Sequence, residues 1–162
     1  MQLTNSTDYA IRVVVFLASE GRLASSSEIA EKMGIPVSYL RMIAAPLRET
    51  GIIASHKGSL GGYGLAAPPE SISLLDIIRI TEGTTKINRC LEHDRYCSRF
   101  ATESCPVRAC YVEMQESIEA ALAAMTIDKV VERAAAMQVP NEALSGAPGA
   151  AHGAALAERR PA

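Results

Sequence analysis

Two short amphipathic segments meet at Gly34-Ile35-Pro36, and that junction constrains the fold more than any other feature of the 162-residue chain. The first segment opens at Ser25, which has capping-box spacing to Glu28, and stops at Gly34. The second is expected from about Val37 to Thr50, with Leu40, Ile43 and Leu47 facing inward and Gly51 ending it. Two helices joined by a short glycine-containing turn form a helix-turn-helix. Pro46 falls inside the second helix, where it removes a hydrogen bond, so a kink is expected there.

The flanking sequence fits the same plan. Ala10, Val13, Val14, Leu17 and Ala18 form the stripe of a core helix over Thr7 to Ser19, with Asn5, Ser6 or Thr7 as its expected cap. Ile52 to Ser55 and Tyr63 to Ala66 are strand candidates around the sequence HKGSLGG at 56 to 62. The glycines in that tip let the backbone turn sharply or approach another molecule, and a hairpin placed directly after a helix-turn-helix is a wing. Pro68 and Pro69 break the chain, and Ser73 with Asp76 opens a helix through about Glu82.

From Gly83 to Ser104 no period is sustained, and a loop is expected. Pro106 suits the first position of a long helix whose residues Val107, Tyr111, Met114, Ile118, Ala121 and Met125 have coiled-coil spacing. Such a seam suits dimerisation. A short helix over Thr126 to Met137 should pack back, and residues 139–162, rich in Ala, Gly and Pro, are expected to form a disordered tail. The fold class expected is therefore mainly α with a small β-hairpin wing. It divides into a winged helix-turn-helix at 1–83, a cysteine-bearing loop at 84–105, a dimerisation helix and short packing helix at 106–138, and the tail.

Composition narrows the function. With 48% hydrophobic residues, 4% aromatics and no Trp, the core must be built from Leu, Ile, Val, Ala and Met. The longest apolar run, Val13 to Ala18, is too short for a bilayer, and the N-terminus lacks a signal-peptide layout, so a soluble cytoplasmic protein is expected. A net charge of -2 argues against indiscriminate nucleic-acid binding. Any DNA contact must use a local patch, and residues 37–64 supply one: Arg41, Arg48 and Lys57 against Glu49. Ser38, Tyr39 and Arg41 begin the second helix of the motif, where side chains reach bases or phosphates, while Lys57, Gly61 and Gly62 belong to the wing. No enzyme is expected, because His56, His93 and His152 are scattered and no nucleophile-base pair is recognisable.

All four cysteines, Cys90, Cys97, Cys105 and Cys110, fall in one stretch. A disulfide framework would staple distant segments, so this cluster reads as metal or redox chemistry in a reducing compartment. Cys105 is the strongest candidate, since a helix N-terminus stabilises a thiolate. Cys110 lies inside the long helix beside its apolar seam and is expected to be a small buried hydrophobe, or else a further ligand.

The stretches MQLTNSTDYAIR at 1–12, IPVSYLRMIAAPLRETGII at 35–53 and KGSLGGYGLAAPPESISLLDIIRITEG at 57–83 resemble the Rrf-type winged-helix transcriptional regulators, whose members include IscR, NsrR and CymR. With the cysteine loop and long helix, the resemblance covers roughly 1–137. It implies a homodimer on partly palindromic double-stranded DNA, with no membrane and no small-molecule substrate. It also implies an iron-sulfur cluster, 2Fe-2S or 4Fe-4S, held by three loop cysteines and a fourth ligand, so that a repressor senses nitric oxide, redox state or iron-sulfur supply.

Cys90, Cys97 and Cys105 become the cluster ligands on that resemblance. Arg108 stands where IscR-like members have a His, which removes that fourth ligand. The TDYAIR motif looks more like NsrR, which nominates Asp8 from the partner subunit, with Cys110 as the alternative. An Asp in a first helical turn also has the simpler use of complementing the helix dipole. Alternative readings are a protein-interaction module holding zinc and a cluster-free thiol-based regulator; the irregular spacing of the cysteines does not resemble the paired knuckles of zinc modules.

Overall fold

A computed structural model describes residues 3–58, 61–99 and 103–137 of the chain. Its elements are α1 (Asn5–Glu20), α2 (Ser26–Met33), α3 (Val37–Glu49), β1 (Ile53–His56), β2 (Gly62–Leu65), α4 (Leu74–Glu82), α5 (Pro106–Ala124) and α6 (Ile127–Ala136). Single 3-10 turns occur at Pro69–Ser71 and Arg89–Leu91. The mainly helical fold with one antiparallel hairpin matches the expectation. The tail proposed for 139–162 lies outside the described residues, as do Ser59 and Leu60 in the hairpin tip.

Local signals set most helix limits. Ser25 accepts a hydrogen bond from the Glu28 amide at the start of α2, but the Glu28 carboxylate turns outward to Arg22 at 2.5 Å instead of closing a capping box. Gly34 ends α2 in the left-handed region at φ 64°, which glycine adopts without steric cost. At α4 the box is complete: Ser73 Oγ accepts from the Asp76 amide, and Asp76 accepts from the Ser73 amide at 2.9 Å. Pro106 takes the first position of α5, as expected.

The cap of α1 corrects the expectation. It is Thr4, not Asn5, Ser6 or Thr7. Two of those side chains have other partners: Ser6 Oγ lies 2.6 Å from the Tyr39 hydroxyl, while the fully buried Thr7 meets Thr81 at 2.7 Å and donates to Glu82. At Pro46 the helix continues to Glu49. The amide that proline lacks would have bonded the carbonyl of Met42, whose side chain is exposed, so the helix tolerates the loss near its solvent-facing side.

The core is laid around α1. Ala10, Val13, Val14 and Leu17 are buried and meet the inner faces of α2, α3, α4 and α6, including Ile29, Leu40, Leu47, Ile77 and Ile127. The chain returns to this core after α5. Leu74 donates its amide to Met125 and Ile127 donates to Ile72, both at 2.9 Å, so the start of α6 is pinned beside the start of α4. In contrast, α5 buries only Gln115, and Val107 and Met114 on its seam are each 52% exposed.

The wing pairs Ile53 with Leu65 and His56 with Gly62, one residue later at the start of β1 and one earlier at the start of β2 than expected. A third short edge is added by Ala24, which exchanges both backbone hydrogen bonds with Tyr63 at 2.9 and 2.8 Å. This close approach fixes Gly62: a Cβ there would sit 2.1 Å from the Ala24 carbonyl oxygen. Gly62→Ala should therefore force the wing off Ala24 and destabilise the fold by about 1–3 kcal/mol, the usual cost of overpacking. Urea denaturation checks this, and a variant as stable as the parent would show that the wing can move without loss.

Candidate functional site

Two surfaces carry the residues singled out from the sequence. The first is the exposed side of α3 with the wing. Ser38 and Arg41 are exposed in the first turns of α3, and Lys57 is exposed just beyond β1. Tyr39 differs. Its hydroxyl is bonded to Ser6, and its ring packs edge-on against Tyr9 with centroids 5.6 Å apart, so it braces the start of α3 against α1. Gly61 closes the hairpin by donating to the Gly58 carbonyl at 3.0 Å, and a Cβ there would lie 2.4 Å from the His56 carbonyl oxygen. Both wing glycines thus have backbone reasons to be glycine.

The second surface is the connection from α4 to α5. Cys90 lies in the 3-10 turn Arg89–Leu91, and its carbonyl accepts a hydrogen bond from Arg108 Nε at 3.2 Å. Cys105 is the N-cap of α5, one turn from Arg108. Cys90, Cys97 and Cys105 are half-buried. Cys110 is exposed in the single chain, where a buried hydrophobe was expected. Asp8 is also exposed and pairs with Arg12 at 2.7 Å, one turn along α1. Among the described residues, no three His, Cys, Asp or Glu side chains converge as a metal-ligating group.

A polar cluster that the sequence reading missed joins this loop to both neighbouring helices. Glu119 accepts from Thr85 Oγ1 at 2.6 Å, Gln115 Nε2 at 2.7 Å and Lys86 Nζ at 3.2 Å, and its second oxygen pairs with Arg79 of α4 at 2.9 Å. Gln115 also donates to the Thr85 carbonyl at 3.0 Å and accepts from the Ile87 amide at 2.9 Å. Its one available signal was a polar pair, Gln115 and Glu119, four residues apart on a helix scanned for apolar spacing. Hydrogen bonds from Thr85, Lys86 and Gln115, led by Thr85, hold the Glu119 carboxyl at about 2 against burial.

The same end of the loop is also fixed to α1. Glu82, the last residue of α4, accepts from the Thr4 amide at 2.8 Å, the Thr4 hydroxyl at 2.9 Å and the Thr7 hydroxyl. These bonds, with the Thr4 amide first, lower the Glu82 carboxyl below its usual range. The chain therefore enters the cysteine loop from a point tied to the helix that carries Asp8.

Comparison with known proteins bears on the family and the fold. The family model for Rrf2, described as an iron-dependent transcriptional regulator, matches residues 3–133. The HTH-type transcriptional regulator NsrR of Bacillus subtilis (strain 168) is 35% identical over 97 residues, covering 59% of this chain and 66% of that protein. Among solved structures, CymR, the global cysteine regulator of B. subtilis, superposes with a TM-score of 0.69 at 24% identity, covering 82% of this chain and 98% of that one. IscR of T. potens gives 0.67 at 25% identity, covering 86% and 93%. Among the described residues, no helix is long and apolar enough to cross a membrane.

The lowered pKa of Glu119 has a testable sign. On acidification the unfolded chain takes up this proton first, near 4.5, so the stability contributed by the carboxylate is complete above that value and is lost as pH falls toward 2. Glu119→Gln should be less stable than the parent near neutral pH, and the gap should narrow as urea denaturation is repeated at successively lower pH. A gap independent of pH would mean that the charge of Glu119 contributes nothing.

Proposed function

Because the chain belongs to the Rrf2 family of transcriptional regulators, we propose that it is a homodimeric DNA-binding repressor whose operator affinity is set by an iron-sulfur cluster on the loop between α4 and α5. The observation that carries this reading is the position of that loop. It leaves α4 of the winged unit at Glu82, which is bonded to α1, and enters α5 at Cys105. A change in how its thiols are held acts on both helices.

Ser38 and Arg41 on α3 are positioned for base or phosphate contacts in a major groove, with Tyr39 holding the start of the helix at its angle. Lys57 reaches phosphate or a minor groove from the wing, whose tight backbone Gly61 and Gly62 permit. The exposed seam of α5, with Val107 and Met114, is the surface for the second subunit, since a long apolar stripe left in water is a poor end state for a helix.

The donor set suits the proposed group: three thiols on one connection, each half-buried, with Cys105 the N-cap of α5 and Cys90 bonded through its carbonyl to Arg108 on the first turn of that helix. Thiolates are the usual protein ligands of iron-sulfur clusters. Cys90, Cys97 and Cys105 would hold it, with Asp8 of the partner subunit as fourth ligand and Cys110 as the alternative. When bound, the group supplies iron that reacts with small diatomics and oxidants, which suits nitric oxide, redox state or iron-sulfur supply as the signal. The chain's own part is to supply three thiols from one connection. A cluster-free thiol regulator is the second reading, since the same half-buried thiols would serve it directly.

Arg41→Ala should weaken binding to a selected duplex by about 1–3 kcal/mol through loss of a base contact. Lys57→Ala should weaken all sequences alike and make the salt dependence shallower. Equal losses on selected and random DNA for Arg41→Ala would reduce it to a phosphate contact.

Anaerobic purification tests the cofactor. A brown or red protein is expected, with the chromophore abolished by alanine at Cys90, Cys97 or Cys105 and retained but shifted in Asp8→Ala. Retention in Asp8→Ala without any shift, together with loss in Cys110→Ala, would make Cys110 the fourth ligand, and a colourless protein with reactive thiols would favour the thiol regulator.

A further inference from the structure

Gln115 is the one residue of α5 that is buried, on a helix whose apolar seam is exposed. A buried amide is costly unless its hydrogen bonds are made, and here both ends of the amide are satisfied, by Thr85, Ile87 and Glu119. Two of those partners are backbone groups of the loop. Directional bonds of this kind exist in one register only, whereas an apolar contact can slide and still bury area.

Glu119 extends the grip. It holds the side chains of Thr85 and Lys86 on the loop with one oxygen and Arg79 on α4 with the other. Arg79 lies on α4, whose Leu75, Ile77 and Ile78 are buried, with Ile77 in the core of the winged unit. A shift of residues 85–87 along α5 would strip three donors from Glu119 and Gln115 at once and leave their charge and amide unsatisfied. The carboxylate would then draw on Arg79, and with it on α4.

We infer that Glu119, backed by Gln115, is the positioning residue that couples the state of the Cys90 loop to the placement of the DNA-binding unit. The inference rests on the DNA-binding part of the function proposed above and not on what the thiols hold. By linkage, a loop that changes DNA affinity must itself be changed by DNA, to the same degree.

The experiment uses the full chain, reduced and free of metal. The rate of Cys90 alkylation by iodoacetamide is followed by mass spectrometry of its peptide, with and without a duplex recovered by in vitro selection. In the parent, saturating duplex should change the rate by about fivefold or more, the lower end of ordinary allosteric coupling. Glu119→Ala should still bind the duplex but show one Cys90 rate in its presence and absence. Thr85→Val, which removes a single hydroxyl without changing size, should reduce the coupling partway, and it carries the test if Glu119→Ala does not fold.

A parent whose Cys90 rate ignores the duplex would overturn the inference. So would variants that alkylate faster yet keep the parent's full dependence on duplex, because that pattern marks a residue that merely stiffens the loop. A colourless protein would count against the cluster and leave this result standing.

Discussion

Burial of one stripe on α1 holds the molecule together. Val13, Val14 and Leu17 are removed almost entirely from water, and each such side chain contributes about 1.5–3 kcal/mol relative to exposure. Helices from both ends of the sequence lie on that stripe: α2 and α3 on one side, α4 and α6 on the others. The angle of α3 is therefore set by α1, both through the core and through the Ser6–Tyr39 and Tyr9–Tyr39 contacts at its rim. Braced in this way, α3 carries Ser38 and Arg41 on its exposed side from a rigid platform.

Polar contacts do a different task. The core settles which elements pack, but apolar packing alone leaves the cysteine loop little to hold. Its start is fixed by two carboxylates, Glu82 against the start of α1 and Glu119 against α4 and the loop's first residues, each with several donors. Bonds to an ionised carboxylate are shorter and stronger than neutral ones. A segment whose first residues are held at two such points leaves α4 along one path.

Much of the fold was legible because its signals are local. Gly34, Ser73 with Asp76, and Pro106 each mark a helix limit through backbone chemistry that needs no knowledge of the rest of the chain. The period of α3 gave its inner face as Leu40, Ile43 and Leu47, and that of α1 gave Ala10, Val13, Val14 and Leu17. It did not give Val15 and Phe16, which other elements also cover, while Ala18 is only half-buried. What could not be read depends on partners distant in sequence. Thr4 caps α1 because Ser6 and Thr7 are taken by Tyr39, Thr81 and Glu82. Gly62 is needed because Ala24 lies against it, and Gln115 is buried because Thr85 and Ile87 reach it. For the candidate site, sequence gave the thiols and the basic face, whereas the polar cluster beside them left no periodic trace.

The return of α6 onto α1 has a consequence for how the protein comes into being. Ile127 is fully buried in the same core as Val13, although more than a hundred residues of chain separate them. During synthesis, with the N-terminus emerging first, the winged unit cannot complete its core until α6 has left the ribosome, by which time the thiol loop and the whole of α5 have already been made. A finished winged unit thus arises only on a chain that already carries the cysteine loop and the whole of α5. The smallest piece of this regulator that can fold to completion is therefore close to the whole of residues 3–137.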